Sequence, residues 1–396
     1  MDKKPVFLIM VTEDNHNKFY NCFPEGSQFR VEYGRVDSTK TTLYYPIEKW
    51  DSQIQSKLKK GYKDISNLKS VLVEEVNKEK PRKPIPVQSI RDVIAKLESI
   101  ARDTISRNYT ITGAAVTQDM IDEAQSIIDN LATISNVHLF NQELMRLFSS
   151  IPRKMKCVND YIAKTTNDFA KIITREQSLL DVMRGQVYVP SSQPKAIDNE
   201  IPNQTILDDM GIEMRECTAD EIAEIKKAMN ESVSHFSRAW KVVNKETQKR
   251  FDKFVATNHI NDKKLLFHGS RSENWYSILK TGLKIRPANA ISTGSMFGQG
   301  IYFAPKCQKS IGYTSLGGSY WANGRDSKAY MALLEVAYGK PYNVYSFDSK
   351  YYSMSYNRLP SGCNCLHAHA GSMLYNDEIV VYREEQTTIK YLIEIK

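Results

Sequence analysis

The spacing of apolar residues changes twice along this chain, dividing it into three segments that cannot share one secondary-structure pattern. From residue 5 to about 75, β-branched and aromatic residues cluster in Val6–Thr12, Lys18–Phe23, Phe29–Val36 and Thr41–Tyr45, with Asn, Asp, Gly and Pro between them. Runs of that length and punctuation predict strands. A helical stretch over Ile47–Leu58 completes a small β-rich module. Val76–Pro86 is charged, holds three prolines and shows no periodicity, which predicts a linker.

The second segment has the helical period. Val87, Ile90, Ile94, Leu97 and Ala101 recur at three or four residues, as do Met120, Ala124, Ile127, Ile128, Leu131 and Ile134. Leu144, Leu147, Phe148 and Ile151 mark a third helix that Pro152 closes; Phe169, Ile172, Ile173, Leu179, Leu180 and Met183 mark a fourth. Such stripes bury only against one another, so a helical bundle is expected. After about residue 190 a helix over Thr218–Asn230 gives way to apolar runs at Lys264–Phe267, Gly300–Ala304, Tyr330–Ala337, Glu378–Tyr382 and Ile389–Ile395. The expectation is a multidomain α+β chain: a β-rich module over 1–78, a linker over 79–86, an all-α bundle over 87–190, and an α+β domain with a largely antiparallel sheet over 191–396.

Composition narrows the setting. The apolar run Val6–Val11 is too short for a signal h-region or a membrane span, and no later stretch is long enough to cross a bilayer. The six cysteines are scattered without a CxxC pair, as expected of a reducing compartment. An intracellular protein without a membrane partner is expected, nuclear in a eukaryotic host, cytoplasmic or nucleoid-associated in a bacterial one. The net charge of +8 is compatible with an acidic partner but is modest for 396 residues.

Three strings in the last segment carry chemistry. They are Leu265-Leu266-Phe267-His268-Gly269-Ser270-Arg271, then Gly298-Gln299-Gly300-Ile301-Tyr302-Phe303-Ala304 with Lys309-Ser310 and Tyr313 behind it, then Leu374-Tyr375-Asn376-Asp377-Glu378 running into an apolar strand. Each alone has an ordinary structural reading. In this order and spacing they resemble the His-Tyr-Glu class of ADP-ribosyltransferases, the poly(ADP-ribose) polymerase type, over roughly residue 206 to the end.

The resemblance implies NAD⁺ as a substrate, with no cofactor, and a reaction that passes through positive charge at the anomeric carbon. It implies that the Gly269 backbone pairs with the nicotinamide amide and that Ser270 or Ser310 adds a hydroxyl. Tyr302 and Tyr313 would line the nicotinamide ring, as aromatic faces suit a flat cation. His268 would hold the adenine-side ribose, and Asn274 would stand near the adenosine. Lys284 or Arg286 would face the diphosphate, although the family more often has Arg where Lys284 stands. Glu378 would hold the nicotinamide ribose and polarise the acceptor hydroxyl. A Glu there accompanies chain elongation in the family. Asn376, two residues earlier, differs from the Glu or Gln of the Arg-directed toxin class. A redox reading lacks its motif, because no G-x-G-x-x-G follows a strand and opens a helix.

The first two segments resemble companions of that domain. Phe29-Arg30-Val31-Glu32-Tyr33-Gly34-Arg35-Val36 is similar to the core of a WGR domain, with Tyr33 in place of the usual Trp. Tyr33, Arg35, Lys57, Lys59, Lys60 and Lys63 would then contact damaged DNA at nicks or ends, the Arg gripping phosphate or a neighbouring domain. Phe140-Asn141-Gln142-Glu143-Leu144-Met145-Arg146-Leu147-Phe148-Ser149-Ser150-Ile151-Pro152 resembles the regulatory helical domain, in which Glu176–Asp181 would face the adenosine site. The implied partners are NAD⁺, broken DNA, and acceptor proteins that include the chain itself. Alternatives are a mono-ADP-ribosyltransferase, an NAD⁺ glycohydrolase, or a non-enzymatic DNA-end scaffold. Cys363, Cys365, His367 and His369 are zinc-ligand types, but on an extended strand the outer two lie about 20 Å apart. A strand leading to Glu378 is the expected reading, with no metal.

Overall fold

The computed structural model describes residues 3–66, 82–110, 116–187, 204–285, 296–371 and 374–396. The chain divides into two compact units, Met1–Lys80 with Arg102–Tyr188, and Pro81–Ala101 with Val189–Lys396.

In the first unit, strands β1 (Val6–Thr12), β2 (His16–Glu25), β3 (Gln28–Arg35), β4 (Thr41–Pro46) and β5 (Lys63–Asp64) form an antiparallel sheet ordered β4-β3-β2-β1-β5. The hairpins turn where the sequence supplies residues that tolerate positive φ, Asn15 at 63° and Gly26 at 66°. Helix α1 (Trp50–Lys59) buries Trp50 and Ile54 against Leu8, Tyr20, Phe29 and Val31. It starts later than the periodicity predicts, because Ile47–Lys49 is a 3-10 turn.

The helix α2 (Gln88–Asn108) has its first part in the second unit and its last turns in the first. Among the described residues, three further helices belong to the first unit. In α3 (Gln118–Leu131), capped by the Thr117 side chain, Met120, Ile121, Ala124, Ile127, Ile128 and Leu131 are buried at helical spacing. Helix α4 (Val137–Ser150) is capped by Asn136 and buries Phe140, Leu144, Leu147 and Phe148 before the chain leaves it ahead of Pro152. Asn136 sets its start, one turn and more before the apolar residues that mark it in the sequence. Helix α5 (Phe169–Arg184) stacks Phe169 on Phe140 with ring centroids 3.9 Å apart.

Polar groups join the sheet and the helices inside this unit. Buried Asn17 on β2 donates to the carbonyls of Arg153 (3.0 Å) and Met155 (3.3 Å). Arg35 on β3 donates to the carbonyl (2.8 Å) and Oδ1 (2.7 Å) of Asn15, and the same Oδ1 accepts from the Val158 amide (2.8 Å). The Arg153 and Glu176 side chains, only 2% and 1% exposed, pair at 3.0 Å, and Tyr109 and Arg175 complete the cluster. Glu176, expected to face a ligand, is thus a buried structural partner.

The second unit holds two sheets. The first is antiparallel, ordered β6 (Ile212–Glu216), β7 (Phe236–Asn244), β14 (Thr387–Ile395), β10 (Ala329–Ala337) and β8 (Lys263–Gly269). Its core includes Ile225 and Met229 from α7 (Ala219–Met229), packed with Ala239, Phe267, Met331, Leu333 and Ile393. The short helix α6 (Ile206–Met210) precedes β6, and α8 (Lys245–Thr257) and α9 (Trp275–Thr281) flank β8 in the chain. The second sheet is ordered β11 (Pro341–Val344), β12 (Cys365–Ala368), β13 (Glu378–Val381) and β9 (Ile301–Phe303). Among the described residues its β11–β12 pair is the one parallel pairing. Part of the predicted linker is tied down: Lys83 donates to the Gln204 carbonyl, Arg82 pairs with Asp209 at 2.7 Å, and Ile85 is buried.

Removing one member of a buried ion pair strands the other charge in a low-dielectric interior, at about 3–5 kcal/mol. Glu176→Gln should therefore lower the stability of the first unit by about that much, read from urea unfolding. An unfolding midpoint unchanged from wild type would show that the cluster contributes little.

Candidate active site

The two sheets of the second unit meet at a pair of main-chain bonds. The Phe267 amide donates to the Ala304 carbonyl at 2.9 Å, and the Ala304 amide donates to the Phe267 carbonyl at 3.0 Å. That bridge places the end of β8, with His268 and Gly269, beside β9, with Tyr302. Strand β9 in turn pairs with β13, Tyr302 opposite Val380, and Glu378 opens β13. Three strings far apart in sequence thereby converge.

Glycines make the approach possible. A Cβ on Gly269 would sit 1.9 Å from the Ser310 carbonyl oxygen, so only a glycine lets the short helix α10 (Cys307–Ile311) come this close. Gly298 has φ of 78° and packs against the Met354 backbone, while a Cβ on Gly300 would meet the Val380 side chain at 2.4 Å. The glycines of the GQGIYFA string therefore serve sheet packing and a tight turn, not a phosphate cradle.

The His268 ring and the Tyr302 carbonyl are hydrogen-bonded through Nδ1 at 3.0 Å, which fixes the imidazole between the sheets. Tyr302 donates its hydroxyl to the Gly298 carbonyl (2.8 Å) and accepts from the Phe297 amide (3.0 Å). Burial pushes its phenol far above the ordinary range, and the Glu378 and Tyr313 charges act in the same direction. Tyr313 is half-buried, stacks with Trp321, and is pushed up to about 12, chiefly by burial and then by Glu378. Both rings are therefore neutral apolar faces at physiological pH.

Glu378 is buried, and Lys309 on α10 reaches it at 2.6 Å. Burial raises the carboxyl pKa, and the lysine charge and hydrogen bond oppose that rise. Lys309 also donates to the Asn376 carbonyl at 3.2 Å, anchoring the approach to β13. Lys309 stands in the second sequence string, where nothing in the residue pattern assigned it a role. Its place one residue before Ser310 is the signal that could have assigned one.

The other expected residues have defined partners. Ser270 accepts from Asn274 Nδ2 at 2.9 Å, and Trp275 donates to the Ser270 carbonyl at 3.2 Å. Asn274 Oδ1 is buried with no hydrogen-bond partner among the described residues. Ser310 is buried beside Gly269. Lys284 pairs with Glu384 at 2.7 Å, and the Ile285 amide donates to the same carboxylate at 3.1 Å. An anion at Lys284 would have to displace that carboxylate. Arg286 lies outside the described residues.

The residues expected to meet DNA belong to the first unit. Tyr33 is half-buried against Tyr20, and Arg35 is engaged by Asn15. The Lys57 ammonium lies 4.2 Å from the Tyr20 ring centroid, where burial lowers its pKa. Lys59, Lys60 and Lys63 are exposed. Among the described residues, no helix is long and apolar enough to cross a membrane.

Residues 218–396 match the family model described as the poly(ADP-ribose) polymerase catalytic domain. The chain is 36% identical over 200 residues to uncharacterized protein 101L of Invertebrate iridescent virus 6, covering 48% of this chain and 81% of that one. It is 35% identical over 152 residues to the putative poly [ADP-ribose] polymerase-like 100L of the same virus, covering 37% of this chain and 77% of that one. To human poly [ADP-ribose] polymerase 2 it is 28% identical over 178 residues, covering 38% of this chain and 29% of that protein. With the matched domain covering the second sheet, all of the first except β6, and the three convergent strings, the chain belongs to the poly(ADP-ribose) polymerase family and is an NAD⁺ ADP-ribosyltransferase.

Proposed function

We propose that this chain is a DNA-break-activated poly(ADP-ribose) polymerase that modifies itself and neighbouring proteins. The observation that carries the reading is Glu378, a buried carboxylate paired with Lys309 and set among Tyr302, Tyr313 and the Gly269 turn.

In this reading NAD⁺ enters with its nicotinamide between the Tyr302 and Tyr313 rings and its amide on the Gly269 backbone, with Ser270 or Ser310 adding a hydroxyl contact. His268 orients the adenine-side ribose, and Asn274 Oδ1 takes a donor from the adenosine end. As the glycosidic bond lengthens, positive charge grows on the ribose, and a carboxylate held in a water-poor site stabilises it more than solvent would. The bond electrons leave with nicotinamide, which departs neutral. The acceptor hydroxyl or carboxylate attacks the anomeric carbon; for a hydroxyl, Glu378 polarises the O–H. Elongation needs an ADP-ribose hydroxyl as acceptor, a weak nucleophile, which is why a carboxylate at this position favours polymer over single transfer.

The break-sensing part rests on the WGR-like string in the first unit and on exposed Lys59, Lys60 and Lys63, which suit a phosphate backbone. Arg35, expected to grip phosphate or a neighbouring domain, is bonded instead to Asn15 of its own β-rich module. The helices α3 to α5 correspond in the proposal to a regulatory domain whose opening couples DNA to the active site. Mono-transfer is the second reading, because single transfer uses the same nicotinamide pocket.

Incubation of the purified chain with labelled NAD⁺, with and without nicked DNA, distinguishes these readings on a denaturing gel. A ladder that requires DNA is expected, and Glu378→Gln should reduce elongation by about a hundredfold or more while nicotinamide release falls less. A single discrete band reduces the activity to mono-transfer, and a ladder indifferent to DNA removes the sensing role.

The acid limb of activity gives a second test. Glu378 works ionised, its pKa stands above the ordinary value, and activity is lost as pH falls through it. Lys309→Met removes the opposing charge, so the acid limb of kcat should move to higher pH. An unmoved limb with a uniformly lower kcat would assign Lys309 to packing instead.

A further inference from the structure

The face of the second sheet turned away from Glu378 carries a second cluster. In β12 and β13, Ala368 pairs with Glu378 and His367 pairs with Ile379. Side chains alternate along a strand, so His367 and Ile379 lie on the opposite face from Glu378. His369, two residues on, stacks on His367 with centroids 4.0 Å apart, and Asp377 reaches both rings from the residue before Glu378.

We propose that His367 Nε2, His369 Nδ1 and Asp377 Oδ2 bind one divalent transition-metal ion, with zinc preferred and solvent in the remaining position. One donor atom from each residue lies within 4.8 Å of the others, with Nε2–Oδ2 at 2.8 Å and Nδ1–Oδ2 at 3.7 Å. Tetrahedral zinc with bonds near 2.0–2.1 Å separates its donors by about 3.3 Å, a value those two distances bracket.

The atoms that would not touch the metal are each held. His367 Nδ1 bonds the Tyr338 hydroxyl at 2.7 Å, and His369 Nε2 bonds Asn343 Oδ1 at 2.8 Å. The Ala370 amide donates to Asp377 Oδ1 at 2.8 Å, leaving Oδ2 toward the two imidazoles. Asn343 Oδ1 only accepts, so His369 Nε2 carries the proton and Nδ1 presents its lone pair. Outer partners on every ligand orient the rings, as in built metal sites, and metal binding would replace the hydrogen bond that His367 Nε2 donates to Asp377 Oδ2. Two imidazoles and one carboxylate suit zinc and its neighbours and suit calcium or magnesium poorly.

The test uses the full chain without a histidine tag, stripped with chelator, desalted and titrated with Zn²⁺ against a competing chromogenic chelator. A single equivalent bound per chain is expected, and His369→Ala should weaken it at least about tenfold. Asn343→Leu, which keeps all three ligands, should weaken it by roughly tenfold through loss of ring orientation. Circular dichroism checks that each variant folds, and Asn343→Leu carries the test if His369→Ala does not. Absence of a bound equivalent in wild type, or identical titrations for wild type and a His367→Ala/His369→Ala double variant, would overturn the assignment.

Discussion

Everything at the active site hangs on the reciprocal main-chain bonds between Phe267 and Ala304. Without them the His268–Gly269 end of one sheet and the Tyr302–Glu378 edge of the other would have no fixed register. Main-chain bonds of this kind fix position to a fraction of an ångström only if the backbones can approach. The glycines at 269, 298 and 300 meet that condition, since a methyl at any of them would overlap a neighbour. Their conformational cost in the unfolded chain is offset by the packing they permit.

Charge is the second constraint. Burying the Glu378 carboxylate alone would cost several kcal/mol, enough to protonate it. Lys309 offsets that penalty from α10, the same short helix whose Ser310 carbonyl crowds Gly269. One element therefore shapes the turn and tunes the acid, so the geometry and the electrostatics of the site are not independent. The residue just before the strand that Glu378 opens is Asp377, held between two imidazoles. Adjacent positions therefore hold a carboxylate suited to a developing cation and one suited to a metal.

The first unit shows a similar economy with polar groups. Asn15 turns a hairpin, takes two bonds from Arg35 and accepts the Val158 amide. Asn17, two residues on, reaches the carbonyls beside Arg153. The strands and helices of this unit are joined by such bonds as well as by apolar contact, and the buried Arg153–Glu176 pair lies within the same connection.

Much of the fold was legible in the chain itself. Alternating runs marked the strands, three-to-four spacing marked α3 and α5, and the order of HGSR, GQGIYFA and the late Glu pointed to the site residues, because local periodicity and turn chemistry are written in neighbouring positions. The start of α4 was not legible in the apolar stripe, since the cap at Asn136 sets it. What the sequence alone determined is therefore most of the element types and the three strings that the fold brings together. The tertiary structure decided that Lys309 belongs to Glu378, that Arg35 belongs to Asn15, that Lys284 belongs to Glu384, and that His367 finds Asp377 rather than Cys363. Those pairings join residues from about 10 to 100 positions apart, and only the packing of sheets brings such distant charges within reach of one another.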